Sequence, residues 1–273
     1  MPEALPSILR FENVSVAFED VAALKDVSFE AREGESRVIL GSAGSGKTVL
    51  LKTALGLVKP DSGKVYVFGR DLTTLKEKEL FDIRSKIGML FQESALFDSL
   101  NIEENVAYPL VNQKAIHCPR GEVHSRVVQA LEFVELGETL EKFPSELSGG
   151  MRRRAAIARA VVTNPPLILY DSPTAGLDPI TAQTIMALLV KARDVARTTT
   201  LVVTYRYQDG NTMANFRYNS ELGKIELARN GAKRDSRTTF MVLQEGKLVF
   251  EGDQDELEAS TNPYISKFVK QRE

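Results

Sequence analysis

Residues 8–18 alternate apolar and polar side chains, and 25–29 resume the alternation before a turn at Glu33-Gly34. That is the pattern of strands with one buried face. Ser36-Arg37-Val38-Ile39-Leu40 predicts a short apolar strand that feeds a glycine-rich loop. Residues 48–57 have helical composition and stop at Lys59-Pro60-Asp61. A strand follows over 64–68 and a charged amphipathic helix over 75–84. From about 93 to 163 the chain is mostly helical, with apolar positions three and four apart across 123–136. Leu167-Ile168-Leu169-Tyr170 predicts a buried strand, 180–193 a helix and 200–204 a third core strand. Strands alternating with helices predict a parallel α/β core, with the helical middle as an inserted subdomain. Residues 206–239 are polar, carry charges of both signs and contain an Asn230-Gly231 turn signal. They read either as a β-excursion or as a mobile surface loop. Residues 240–243 and 247–251, joined by Glu245-Gly246, predict a hairpin, and 253–273 a helical tail.

Composition narrows the classes. Hydrophobic residues make up 43% of the 273-residue chain and charged residues 26%, proportions typical of globular proteins. A net charge of −2 argues against binding nucleic acid by bulk electrostatics. The single cysteine, Cys118, leaves no internal disulfide and no cysteine metal cluster. The N-terminus lacks the basic start and apolar core of a secretory leader. No stretch approaches the roughly 18–20 apolar residues that a bilayer span needs.

The chemistry begins at Gly41-Ser42-Ala43-Gly44-Ser45-Gly46-Lys47-Thr48, which fits G-x-x-x-x-G-K-[ST] throughout. Its glycines let the backbone wrap closely around phosphate oxygens and point several N–H groups inward. Lys47 would reach the β- and γ-phosphates and the Thr48 hydroxyl would hold Mg²⁺, while the following helix adds the positive end of its dipole. A strand before and a helix after the loop favour nucleotide binding over an incidental turn. GTPases, kinases and transport ATPases share this loop, so the remaining motifs must choose among them.

Leu147-Ser148-Gly149-Gly150-Met151 opens a helix-forming run and resembles the LSGGQ signature of ABC ATPases. Physically it is a second phosphate cradle, with Ser148, Gly149 and Gly150 opening a helix whose first N–H groups are free. Residues 167–171 fit the Walker B pattern, an apolar strand ending in Asp171. The resemblance to the ABC family covers residues 8–255. It implies an α/β P-loop NTPase core, RecA-like and mostly parallel, with an N-terminal antiparallel β subdomain and an inserted α-helical subdomain, all in one domain over 1–273. It implies ATP as substrate and Mg²⁺ held near Thr48, Gln92 and Asp171. Gln92 falls at the Q-loop position, and Asp178 in the D-loop that touches a partner across a two-fold dimer. Phe18 stands where an aromatic ring stacks on adenine. The segments Ala95-Leu96-Phe97, 105–110, 144–151 and Asp178-Pro179-Ile180-Thr181 resemble the Mla-type branch, tied to MCE-domain lipid transport. That branch implies a second copy of the ATPase subunit in a homodimer, an integral permease of the MlaE type, an MCE-domain partner, no nucleic acid, and a cytoplasmic position peripheral to the inner membrane.

Two positions depart from the family. Ser172 follows Asp171 where the catalytic glutamate belongs, and Tyr205 stands at the switch-histidine position. A serine hydroxyl is no general base near neutral pH, and Tyr205 donates a hydrogen bond without titrating like imidazole. The expectation is a chain that binds MgATP and dimerises but hydrolyses slowly. The alternatives are a nucleotide-sensing subunit and a soluble ABC ATPase unconnected with transport. His117 and His124 near Cys118 are read as solvated residues, and Arg152-Arg153-Arg154 as the solvated start of the signature helix.

Overall fold

A computed structural model describes residues 5–228 and 237–270. Its centre is a six-stranded sheet built from β3 (Ser36–Leu40), β6 (Ile87–Leu90), β7 (Leu167–Asp171), β8 (Thr199–Thr204), β11 (Thr238–Gln244) and β12 (Lys247–Gly252), in the order β12-β11-β3-β8-β7-β6. All neighbours are parallel except the β11–β12 hairpin. The strands read as unbroken apolar runs because both faces are covered. On one face Val38, Leu40, Ile168, Tyr170, Val202 and Phe240 pack into a core shared with the helices. On the other, Ile39, Leu167, Leu169, Leu201 and Met241 meet a second core.

That second core contains α1 (Lys47–Ala54) and the antiparallel sheet of β1 (Ser7–Phe18), β2 (Val21–Arg32), β4 (Ser62–Val67) and β5 (Arg70–Asp71). The sheet order is β2-β1-β4-β5. Alternation in β1 and β2 places Phe11 against Phe29, with ring centroids 4.8 Å apart. α2 (Glu77–Arg84) begins at Glu77 rather than residue 75, because Leu72–Thr74 form a 3-10 turn that Asp71 caps through the Thr73 N–H.

The helical subdomain comprises α3 (Ile102–Asn112), α4 (Arg120–Phe133) and α5 (Gly149–Val161), connected in part by 3-10 turns. Asn105 is fully buried at its base, and its side-chain amide serves the carbonyls of Phe97, Leu100 and Asn101. His124 pairs with Glu103 at 2.7 Å. The arginine run corrects the expectation of a solvated stretch. Arg152 donates to the Leu147 carbonyl, Arg154 to the Val134 carbonyl, and Arg153 is 6% exposed.

Of the two readings of residues 206–239, the described residues after Tyr205 follow the β-excursion, preceded by a helix that the sequence pattern did not predict. α7 (Tyr207–Asn215) runs directly into the hairpin β9 (Phe216–Asn219) and β10 (Lys224–Leu227), which lies against α6 (Pro179–Ala196). Arg193 of α6 holds it by donating to the carbonyls of Met213 and Phe216. The helix escaped the sequence pattern because its buried face includes Asp209 and Gly210 beside Tyr207 and Met213. Gly210 is required there, since a Cβ would lie 2.5 Å from Phe240 and 2.9 Å from Val38. The Asn230-Gly231 signal lies outside the described residues. The chain closes with α8 (Gln254–Ala259) and α9 (Pro263–Lys270). Among the described residues no helix is long and apolar enough to cross a membrane.

Candidate nucleotide site

In open α/β sheets, ligands gather outside the carboxyl ends of the parallel strands. Here Leu40 pairs with Thr204, and Asp171 with Val203, so β3, β7 and β8 end at one level. The residues that follow them, Gly41, Ser172 and Tyr205, therefore start three loops around a common cleft of about 900 Å³. Ser42, Ala43, Gly44, Gly46, Lys47, Thr48, Gln92, Ser172 and Tyr205 line it.

The loop is closed on itself. Lys47, 9% exposed, donates to the carbonyls of Gly41 (2.9 Å) and Ser42 (2.8 Å), with Ser45 Oγ at 3.4 Å. Burial holds its ammonium below the usual lysine range, partly offset by the negative charge of Asp171. A phosphate would replace those carbonyls as its partner. Gly46 precedes α1 with φ +103, and a Cβ there would meet the Ala23 carbonyl oxygen at 2.3 Å. Only glycine satisfies both the left-handed backbone and that approach.

Thr48 Oγ1 donates to Asp171 Oδ2 at 2.9 Å, joining the first turn of α1 to the end of β7. Ser172, 8% exposed, has a left-handed backbone (φ +48) and donates its hydroxyl to Asp171 Oδ1 at 3.2 Å. Tyr205, which follows the strand between β3 and β7, is 46% exposed and lines the cleft. Gln92 reaches both this cleft and a smaller one lined by Gly149, Arg152, Arg153 and residues 175–177.

Ser148, Gly149 and Gly150 do not line the phosphate-loop cleft. Ser148 caps α5 by accepting from the Met151 N–H at 3.2 Å. Gly150 abuts α6, where a Cβ would lie 2.6 Å from Thr181 Cγ2, whereas a Cβ on Gly149 would meet open space. Asp178 caps α6 by accepting from the N–H groups of Ile180 and Thr181, both at 3.0 Å. Its hydrogen bonds with Thr181 lower its pKa. Phe18, 50% exposed at the end of β1, is not among the residues lining the cleft.

Three features carried no signal in the sequence. Arg153 spans from the Phe91 carbonyl (3.3 Å) to that of Ala175 (3.4 Å), bracing the loops that carry Gln92 and Asp178, and burial lowers its pKa. Tyr264, Lys267 and Phe268 of α9 line the phosphate-loop cleft although they lie more than 200 residues downstream. Asp209 of α7, 2% exposed, accepts from Thr174 (2.7 Å) and Thr204 (2.6 Å) with the same oxygen, Oδ2. Asp209→Ala is expected to leave both hydroxyls without their acceptor and cost about 2–3 kcal/mol, lowering Tm by about 5–10 °C in a scanning calorimeter.

The milder Asp209→Asn has a pH signature. Burial raises the Asp209 pKa above its ordinary 3.8. A raised folded-state value means that the protonated form stabilises the fold at low pH and that this contribution is lost as pH rises. Asp209→Asn is therefore expected to gain in Tm relative to the unmodified chain as pH rises from the ordinary carboxyl value of 3.8 to neutrality; an unchanged difference would contradict it.

Comparison with known proteins converges on this geometry. The family described as "ABC transporter" matches residues 24–175. The intermembrane phospholipid transport system ATP-binding protein MlaF of Haemophilus influenzae is 30% identical over 264 residues, 97% of this chain and 90% of that protein. The probable ribonucleotide transport ATP-binding protein mkl of Mycobacterium leprae is 36% identical over 205 residues, 75% of this chain; the alignment spans only 58% of that relative's length. The dimeric bacterial ABC transporter cassette MJ0796 superposes with a TM-score of 0.76 at 31% identity, covering 90% of this chain and 98% of that one. With phosphate loop, Walker B strand and signature helix each in place, the chain belongs to the ABC transporter family and carries its ATP-binding domain.

Proposed function

We propose that this chain is the ATPase subunit of a transporter that moves phospholipid in the Mla manner, working as a pair with a second copy against an integral permease of the MlaE type and with an MCE-domain protein. It would then lie on the cytoplasmic side of the inner membrane, held there by the permease. The observation that carries the ATPase reading is the Thr48–Asp171 hydrogen bond beneath the phosphate loop. It joins two hard oxygen donors at the place where a nucleotide's phosphates would lie, with Gln92 lining the same cleft. Mg²⁺ takes one or two such protein oxygens and fills its remaining positions with phosphate and water. When bound, it neutralises charge between the β- and γ-phosphates.

This chain's own residues would do the rest. Lys47 leaves the Gly41 and Ser42 carbonyls for the phosphates, and the N–H groups at the start of α1 face the same anion. The separate placement of Ser148, Gly149 and Gly150 suits a cradle that serves the nucleotide of a second cassette. Likeness over nearly the whole chain to a protein named for intermembrane phospholipid transport supports the choice of cargo.

Hydrolysis is the weak step. Among the described residues lining the cleft there is no Asp, Glu or His to take a proton from water. Ser172 already donates to Asp171, and Tyr205, one residue past β8, lines the cleft. The transport reading is tested by affinity purification of the tagged chain from detergent-solubilised membranes, with its partners identified by mass spectrometry. Recovery of an integral membrane permease in stoichiometric amount is expected. A chain that stays in the soluble fraction and brings down no membrane protein would favour the nucleotide-sensing or soluble ATPase alternative.

A further inference from the structure

The C-terminal helix α9 forms one wall of the phosphate-loop cleft, beyond the residues matched by the family. Its own packing fixes it there. Ile265 and Phe268 are buried in the core on the helical side of the sheet, and Tyr264 meets Phe268 edge-on with ring centroids 5.3 Å apart. The Tyr264 hydroxyl thereby reaches the phosphate loop. It accepts from the Ser42 N–H at 3.0 Å, lies 3.0 Å from Ser42 Oγ and donates to the Leu243 carbonyl at 3.3 Å. A phenol offers one donor and two acceptor positions, so these contacts can use its full capacity.

The same Ser42 residue gives its carbonyl to Lys47 at 2.8 Å. When Lys47 turns to a phosphate, that restraint is released, and the Tyr264 hydroxyl remains as a tether on this end of the loop beside the Ser45 N–H that donates to the Ser42 carbonyl. One helical turn beyond Tyr264, on the same face, lies Lys267. It is exposed, and it lines the same cleft as the cradle. An ammonium group there, with no carboxylate among the lining residues, adds attraction for a polyanion.

We propose that α9 belongs to the nucleotide site, with Lys267 contacting the polyphosphate of the bound nucleotide and Tyr264 positioning the Gly41–Ser42 end of the phosphate loop. The proposal rests on the ATP-binding reading and extends it to a segment that lies outside the motifs.

The test is titration of the purified full-length chain with a fluorescent ATP analogue, MANT-ATP, in Mg²⁺ buffer, with Tm measured in parallel. Lys267→Ala is expected to raise Kd by ~3–10-fold, the span of one partly solvated charge-assisted contact. Lys267→Arg should restore most of the affinity, and the loss in Lys267→Ala should shrink as salt rises from 50 to 500 mM. Tyr264→Phe is expected to raise Kd by ~2–10-fold while Tm of the nucleotide-free chain moves little. A hydroxyl that merely braced the tail would lower Tm and leave Kd alone. Lys47→Ala serves as the reference for a lost site. If the unmodified chain binds and Lys47→Ala does not, yet a variant at 264 or 267 binds within twofold of the unmodified chain, that residue's role is overturned. If the unmodified chain itself fails to bind MANT-ATP, the nucleotide reading fails and this inference fails with it.

Discussion

Ser172→Glu combined with Tyr205→His is expected to raise steady-state ATP turnover at least ~tenfold over the unmodified chain, since one missing general base costs about 10²–10⁴ in rate. The geometry is ready for the change. Ser172 lines the cleft and is followed by a proline, and its left-handed backbone is held by its N–H donating to the Val203 carbonyl at 2.8 Å. A glutamate on the same backbone carries its carboxylate past Asp171 into the space where the terminal phosphate and its attacking water would lie. Tyr205 leaves β8 one residue beyond Thr204, so a histidine there faces the same space with a ring that titrates near neutral pH. Phosphate release in a coupled assay measures the result. A gain below tenfold would mean that water is activated elsewhere in the assembly and that these two positions have been misread.

The second large effect concerns binding itself. Lys47→Ala is expected to weaken ATP binding by ~100-fold or more, because the buried ammonium would make two or more charge-assisted hydrogen bonds to phosphate. Burial to 9% exposure strengthens each of those contacts relative to one in open water. The same substitution removes the lysine donor from the Gly41 and Ser42 carbonyls and leaves Ser42 with the Ser45 N–H, so a small fall in Tm should accompany it. Isothermal titration with ATP, at matched folded fraction checked by circular dichroism, separates the two. Retention of affinity within tenfold would remove Lys47 from the phosphate site.

These two predictions separate what was legible in the chain from what was not. The phosphate loop, the strand before it and the Asp171 strand were readable because their chemistry is local: consecutive residues supply the amides, the lysine and the carboxylate. The buried runs 36–40, 167–170 and 200–204 pointed to a parallel core sheet, and the common level of its strands at Leu40, Asp171 and Thr204 then brought three distant loops together. α7 was missed because its buried face uses a carboxylate and a glycine instead of an apolar stripe. Arg153 looked like one of three solvated cations, since nothing local distinguishes the member of an Arg-Arg-Arg run that turns inward to the Phe91 and Ala175 carbonyls. The contribution of α9 was invisible for a different reason: Tyr264 meets Ser42 across 222 positions, and no periodicity links them.

Asp209 has a mechanical consequence. Thr174 sits in the loop between β7 and α6, Thr204 closes β8, and both hydroxyls end on the same carboxylate oxygen. Neither loop can shift by much without dragging the other, because a single atom is the joint between them. A force applied at residues 175–178 from outside the chain would therefore arrive at Tyr205 as displacement, through two hydrogen bonds and one side chain.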